Sequence, residues 1–294
     1  MRGLFVDIGS NSIRSMKAEY VINEFSFFDK HIYTTRLAEG ILRTGNLSLD
    51  RVFDSLSILK QIKLFAKEEN ISIYAYATSA IRDAKNSTTF LVPACDILST
   101  NIDVLSGEQE ARYAFLGATN GKGSLIDIGG GSTQVITKDY AASFPFGCVR
   151  AKDACRNASF VQSSFHKIYD TLWPLLIEHI PVPLLTETSW TGVGGTITTL
   201  AAFALGLPKY DSSRVDGCLL SFTAAKNALE TIADMGKASA MHHLLSMRHD
   251  VILQGGAILL YLMEHLSIDH LHISDADGLE GYAMHILYYS TKEN

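Results

Sequence analysis

Short apolar runs that stop at glycine alternate along this chain with longer stretches of helical period. Residues 3–9, 13–22 and 25–35 are β-rich runs with close turns between them, which predicts a three-stranded antiparallel meander. A loop punctuated by Gly40 and Gly45 follows. Val52, Leu56, Leu59, Ile62 and Phe65 then recur at helical spacing behind Ser48, a residue able to cap that helix. Residues 71–77 predict a strand, 78–86 a turn into a short helix, and 102–105 another strand. Ser106 opens a helix that runs to about Ala118. The pattern restarts with a strand at 125–128, a glycine turn and a strand from Val135. Residues 161–180 predict a helix broken at Pro174. A strand at 189–193 leads into a helix from about Ile197, and Thr223 is placed to cap another. Residues 250–266 predict an apolar helix despite Gly255 and Gly256, followed by a strand at 271–274 and a last helix at 278–289. Strands leading into helices in both halves indicate an α/β protein. Asn120-Gly121-Lys122-Gly123 is the best linker, which divides the chain into domains 1–119 and 120–294.

Two of the turns carry chemistry. In Leu125-Ile126-Asp127-Ile128-Gly129-Gly130-Gly131-Ser132-Thr133 an apolar run ends in an aspartate, three glycines and two hydroxyl residues. Glycine lets backbone approach a ligand closely and takes positive φ at little cost. Consecutive N–H groups in such a turn form an anion-binding nest. Asp127 beside it is placed to hold a metal ion against a phosphate. The pattern occurs earlier as Leu4-Phe5-Val6-Asp7-Ile8-Gly9-Ser10-Asn11-Ser12. Two copies at domain-sized separation indicate a duplicated fold that holds one phosphate chain between its halves.

Other candidates stand alone. Glu110 lies in the first turn of a helix, where acids also favour the macrodipole. Glu108, two positions earlier, faces elsewhere. Arg82 follows a strand and can fork onto a phosphate. Gly192, Gly194, Gly195 and Thr196 form a strand-to-helix turn that can pass close to a nucleotide. Seven of the ten histidines lie from His242 onward, without the i, i+4 spacing of a zinc helix.

Charge narrows the partners. The net charge of −6 argues against a broad nucleic-acid face, so any polyanion site is expected to be a local basic pocket. Cys95, Cys148, Cys155 and Cys218 lack zinc spacing and disulfide density, which suits reduced thiols in a cytoplasmic protein. The chain reaches Asp7 too early for a signal peptide. Its longest apolar stretch, near 197–207, is too short to cross a bilayer.

In this order the motifs resemble the exopolyphosphatase / guanosine pentaphosphate phosphohydrolase (Ppx/GppA) family over nearly the whole chain. The carriers are Asp7 to Ser12, Ala77-Thr78-Ser79-Ala80-Ile81-Arg82, Ser106-Gly107-Glu108-Gln109-Glu110-Ala111-Arg112 and Asp127 to Thr133. Phe146-Gly147-Cys148-Val149 and Gly192-Val193-Gly194-Gly195-Thr196 complete the set. The resemblance implies two ribonuclease-H-like domains of the actin-like ATPase superfamily with the active site in the cleft between them. It implies a phosphoanhydride hydrolase, dependent on magnesium or another divalent cation. Such an enzyme removes the terminal phosphate of polyphosphate or of a guanosine pentaphosphate-type nucleotide. Glu110 is then the catalytic base. Asp127 is catalytic and holds the metal, with Asp7 assisting through water. Gly9, Ser10, Asn11, Ser12, Arg82, Gly129, Gly130, Gly131, Ser132 and Thr133 surround the phosphates, and Gly192, Gly194, Gly195 and Thr196 form a loop on the nucleotide side. Neither nucleic acid nor membrane is an expected partner; a homodimer is an open assembly state.

Three positions depart from the family pattern: Gln109 and Gln134 stand where glutamates are usual, and Leu279 where an arginine is usual. At 134 the change removes a charge expected near Asp127 and the cation, so a weakened magnesium requirement is expected there. The departures keep a second reading open, a binding sensor of polyphosphate or an alarmone. A kinase of the same superfamily is a third.

Overall fold

The computed structural model describes residues 1–155, 165–187 and 189–290. Strands β1 (Arg2–Ile8), β2 (Ser12–Val21) and β3 (Glu24–Thr34) form the expected antiparallel meander. Helices α1 (Ile41–Thr44) and α2 (Leu49–Glu68) follow, and the Ser48 side chain accepts from Arg51 N to cap α2. β4 (Ile73–Ala77), α3 (Ser79–Asp83), α4 (Thr88–Leu98), β5 (Ile102–Val104) and α5 (Gly107–Thr119) complete the first half. The sequence reading has no counterpart of α4, because threonines and Pro93 are poor helix formers. Phe90, Ala94 and Leu98, spaced at i, i+4 and i+8, bury one face and hold it helical.

The second half repeats the plan. β6 (Ser124–Ile128), β7 (Thr133–Ile136) and β8 (Ala141–Phe144) form a second meander, followed by α6 (Cys148–Ala154), α7 (Phe165–His179), β9 (Trp190–Val193) and α8 (Gly195–Ala204). Then come α9 (Ser212–Val215), β10 (Leu219–Ser221), α10 (Phe222–Met235), α11 (Ile252–His265), β11 (His270–Ile273) and α12 (Gly278–Ser290). Pro174 does not break α7, which runs through it. A proline inside a helix costs about 3 kcal/mol. Burial of Phe165, Ile168, Leu172 and Leu176, at about 1.5–3 kcal/mol each, exceeds that. The start of the 161–180 stretch lies outside the described residues. Ser221, not Thr223, caps α10: its side chain accepts from Ala224 N.

The sheet orders are β3-β2-β1-β4-β5 and β10-β11-β9-β6-β7-β8. In each, the first strand of the meander pairs antiparallel with the second and parallel with a later strand, β4 or β9. β1 and β6 are thus equivalent central strands, buried among apolar neighbours, and both carry an aspartate as their penultimate residue. Two connections tie the halves together. α12 crosses back to the first sheet, where Leu279, Tyr282, Ala283 and Leu287 pack with Phe5, Met16 and Tyr76. α6 docks on the first half: Cys148 and Val149 join its core, Arg150 pairs with Asp83, and Asp153 accepts from Gly40 N at 2.8 Å. Asp250, just before α11, receives both Arg36 at 2.8 Å and Lys152 at 2.7 Å.

Candidate active site

The two glycine turns close in the same way. Gly9 N donates to Ser12 O and Gly129 N donates to Ser132 O, each at 3.0 Å. They face each other across the junction of the halves. A Cβ on Gly130 would lie 2.9 Å from Asn11 N, so glycine is required there by the approach of the other turn. The expectation of positive φ is not met. Gly9, Gly129, Gly130 and Gly131 all lie outside that region, while Gly194 has φ 88°. Gly194 brings the third loop against Asp127: a Cβ there would sit 2.7 Å from Asp127 Oδ1.

These three loops line a cavity of ≈ 80 Å³ together with Asp7, Glu110 and Asp127. It adjoins a chamber of ≈ 700 Å³ between β2–β3 and the second half, with which it shares Arg14, Gly194, Gly195, Arg248 and Asp277. Ser10 and Ser79 hydrogen-bond at 2.9 Å at the rim of the smaller cavity. Asn11 is buried beside them, and both of its side-chain polar atoms lack partners among the described residues.

Glu110 sits in the first turn of α5, behind a capping box in which Ser106 and Gln109 satisfy each other's backbone. Its Oε2 accepts from Arg82 Nη1 at 3.1 Å and its Oε1 from Ser132 Oγ at 3.1 Å. Burial pushes its pKa up, against the Arg82 charge. Asp127 has no hydrogen-bond or ion-pair partner among the described residues. Burial, then Asp277 and Glu110, push it up to about 8. Asp7 is also raised by burial, but Arg14 opposes this, donating Nε at 2.9 Å and Nη2 at 2.5 Å to its Oδ2. Asp7 Oδ1 is buried without a partner among the described residues. Arg14 also pairs with Asp277, which burial would raise but which Arg14 and Lys30 hold down to about 2.

Several expected residues lie elsewhere. Arg82 does not line the cavity; it stands behind Glu110, also donating to Leu105 O. Thr133 is buried and donates to Phe146 O at 2.7 Å. Gly192 packs on Ile197 and Leu271, and Thr196 on Gly255, so of that loop only Gly194 and Gly195 reach the cleft. Three charged cleft residues were missed. Arg14 carried a signal: it is a charge on a strand pairing directly with Asp7. Asp277 accepts from Leu279 N ahead of α12, a turn-like clue with no functional mark. Arg248 had no signal. Its guanidinium lies over Gly195, where a Cβ would collide with it, and it makes no ion pair or hydrogen bond among the described residues.

Two departures from the family pattern have structural roles. Gln109 completes the capping box, and Leu279 is fully buried against Phe5 and Tyr282. Gln134 is fully buried too and does not line the cavity; its amide meets Ser132 and Ser143 rather than an open cation position.

Among the described residues no group of three or more His, Cys, Asp or Glu side chains is gathered to hold a metal. The orphaned Asp7 Oδ1 and unpartnered Asp127 nevertheless suit a magnesium-type ion, which binds through one or two carboxylates plus substrate oxygens and water. No described helix is long and apolar enough to cross a membrane.

Comparison with known proteins agrees with this architecture. Exopolyphosphatase 2 of Mycobacterium tuberculosis is 30% identical over 316 residues, covering 95% of this chain and 96% of that protein. A guanosine-5'-triphosphate,3'-diphosphate pyrophosphatase of Vibrio cholerae is 27% identical over 94% of this chain but only 57% of its own length. The crystal structure of the Aquifex aeolicus Ppx/GppA family member superposes with a TM-score of 0.78 at 28% identity, covering 100% of this chain and 99% of that one. The family model for Ppx/GppA phosphatases matches residues 15–289, and the chain belongs to the Ppx/GppA phosphatase family.

Proposed function

We propose that the protein hydrolyses a terminal phosphoanhydride bond, releasing inorganic phosphate from polyphosphate or from a guanosine pentaphosphate-type nucleotide. The observation that carries this reading is the position of Glu110. It lines the cavity between two equivalent glycine turns, with both carboxylate oxygens held. In the mechanism the turns bind the terminal phosphoryl group through backbone N–H groups. Glu110 takes a proton from the attacking water; its raised pKa brings it nearer to operating pH, as a base requires. Arg82 and Ser132 hold its two oxygens in place. Asp127, assisted by Asp7, would hold a divalent cation. That ion would neutralise charge on the phosphoryl oxygens as the bond breaks.

Arg248, which borders both cavities and has no protein counter-ion among the described residues, meets the next phosphates of the chain. Arg14 is already neutralised by Asp7 and Asp277, so the basic track is short. Short chains are therefore better substrates than long ones, with modest salt dependence. The ≈ 700 Å³ chamber, bordered by Phe27, Tyr210 and Met247, leaves room for a nucleoside beyond the phosphates and supports the nucleotide as an alternative to inorganic chains. The sensor reading loses most of its support, because Gln109 and Leu279 have structural roles and Glu110 and Asp127 are both present.

The test is a panel of phosphoanhydrides assayed for phosphate release with and without magnesium. Metal-dependent release from short polyphosphate or the pentaphosphate nucleotide supports the reading. Tight binding without release would make the protein a sensor, and phosphoryl transfer to an acceptor such as acetate would make it a kinase.

A further inference from the structure

Gln134 is joined to Glu110 by a chain of hydrogen bonds that runs in one direction. Ser132 Oγ donates to Glu110 Oε1 at 3.1 Å, and Gln134 Nε2 donates to Ser132 Oγ at 3.0 Å. The direction follows from donor counting. An ionised carboxylate only accepts, so the single Ser132 proton is committed to Glu110. The Ser132 oxygen is then left as an acceptor and needs a donor from behind, and the carboxamide NH₂ supplies it. The same NH₂ reaches Ser143 Oγ at 3.3 Å. Strand register places Gln134 directly between Asp127 on β6 and Ser143 on β8, and no part of it is exposed to solvent. Its Oε1 is buried without a partner among the described residues, so the amide leaves its carbonyl unpaired while its NH₂ stays on Ser132.

We propose that Gln134 is a positioning residue for Glu110, acting through Ser132: its amide sets the direction of the Ser132 hydroxyl, which in turn fixes one oxygen of the base. This rests on the reading of Glu110 as the base. A carboxylate at 134 would accept the Ser132 proton in competition with Glu110. The base would lose one of its two orienting bonds and gain a like charge nearby. The consequence is opposite to that expected if residue 134 served the cation, where a carboxylate would help.

The experiment measures kcat and KM for phosphate release at saturating magnesium in Gln134→Glu, Gln134→Met, Ser132→Ala, Glu110→Gln and the double variants at 134 with each of the other two. Gln134→Glu should lower kcat about tenfold or more with KM within about twofold, and Gln134→Met should cost less. In the Ser132→Ala and Glu110→Gln backgrounds the substitutions at 134 should cost little more, because the route through Ser132 is already cut. Should Gln134→Glu fail to fold, as read by a thermal melt, the uncharged Gln134→Met series carries the same test. A kcat in Gln134→Glu equal to or above the parent, or losses at 134 that add fully to that of Ser132→Ala, would overturn the proposal. Near-normal turnover in Glu110→Gln would instead remove the reading of Glu110 itself, so the two failures are distinguishable.

Discussion

The hairpins β1–β2 and β6–β7 are the same device with different partners for the same acid. Each carries an aspartate one residue before the end of its first strand and closes its turn with a glycine N–H at 3.0 Å from the serine carbonyl three residues on. Across the pair, Asp7 faces Arg14 and Asp127 faces Gln134. Arg14 offsets much of the burial of Asp7, whereas Asp127, opposite a neutral amide, is pushed up to about 8. One copy of the duplicated hairpin is therefore nearly self-neutral. The other holds an acid whose charge has no protein partner among the described residues, and the two differ accordingly: Asp7 is tied to the second half through Arg14 and Asp277, while Asp127 is the acid we propose as the main holder of a cation.

The largest expected effect comes from the residue that the two halves share. Glu110 belongs to the first half and is held by Ser132 of the second. Glu110→Gln should lower kcat by about 10² or more with KM nearly unchanged. Steady-state phosphate release measures it, and a folded variant with normal kcat would rule out Glu110 as the base.

Next, the two aspartates should separate. Asp127→Asn should reduce activity by tens-fold and abolish the magnesium response, and Asp7→Asn should cost less. Stability should show the same difference in the metal-free protein. The folded pKa of Asp127, about 8, lies above its unfolded value of about 4. Between these the folded state binds more protons, so stability falls as pH rises. Asp127→Asn should remove this fall and melt a few degrees above the parent at pH 8, roughly the shift expected from 1–2 kcal/mol. Magnesium should raise the parent's melting temperature at pH 8 and leave the variant's unchanged. Parallel melting curves from pH 5 to pH 8 would show that Asp127 carries no unbalanced charge.

Arg248 tests the counter-charge of the second half against that of the first. Arg248→Ala should raise KM about tenfold with kcat nearly unchanged and reduce the salt dependence of binding. A fall confined to kcat would place Arg248 at the chemistry instead.

The smallest effect concerns the tie between the halves far from the turns. Burial would raise Asp250, but Arg36 and Lys152 hold it down to about 2. A carboxylate depressed in the folded state contributes stability above its unfolded pKa of about 4, and that contribution is lost as pH falls toward 2. Asp250→Asn should cost about 1 to 2 kcal/mol at pH 7 by denaturant unfolding, and the two proteins should converge between pH 4 and pH 2. A difference independent of pH would mean that packing, not charge, acts at this position.

What the sequence by itself determined is local. The meander, the Ser48 and Ser106 caps, the two turns and the positions of Asp7, Glu110 and Asp127 follow from periodicity and from turn and cap chemistry, which act over a few residues. α4 and the passage of α7 through Pro174 did not follow from it, because burial against distant elements outweighed weak propensity. The charge logic of the site was likewise decided only by the tertiary structure. Arg14 and Asp277 are 263 residues apart, Arg82 and Glu110 are 28 apart, and Arg248 reaches Gly195 across the second half. Whether an arginine faces a phosphate site or braces a carboxylate depends on which acid folding brings within about 4 Å of it, and no spacing along the chain encodes that distance.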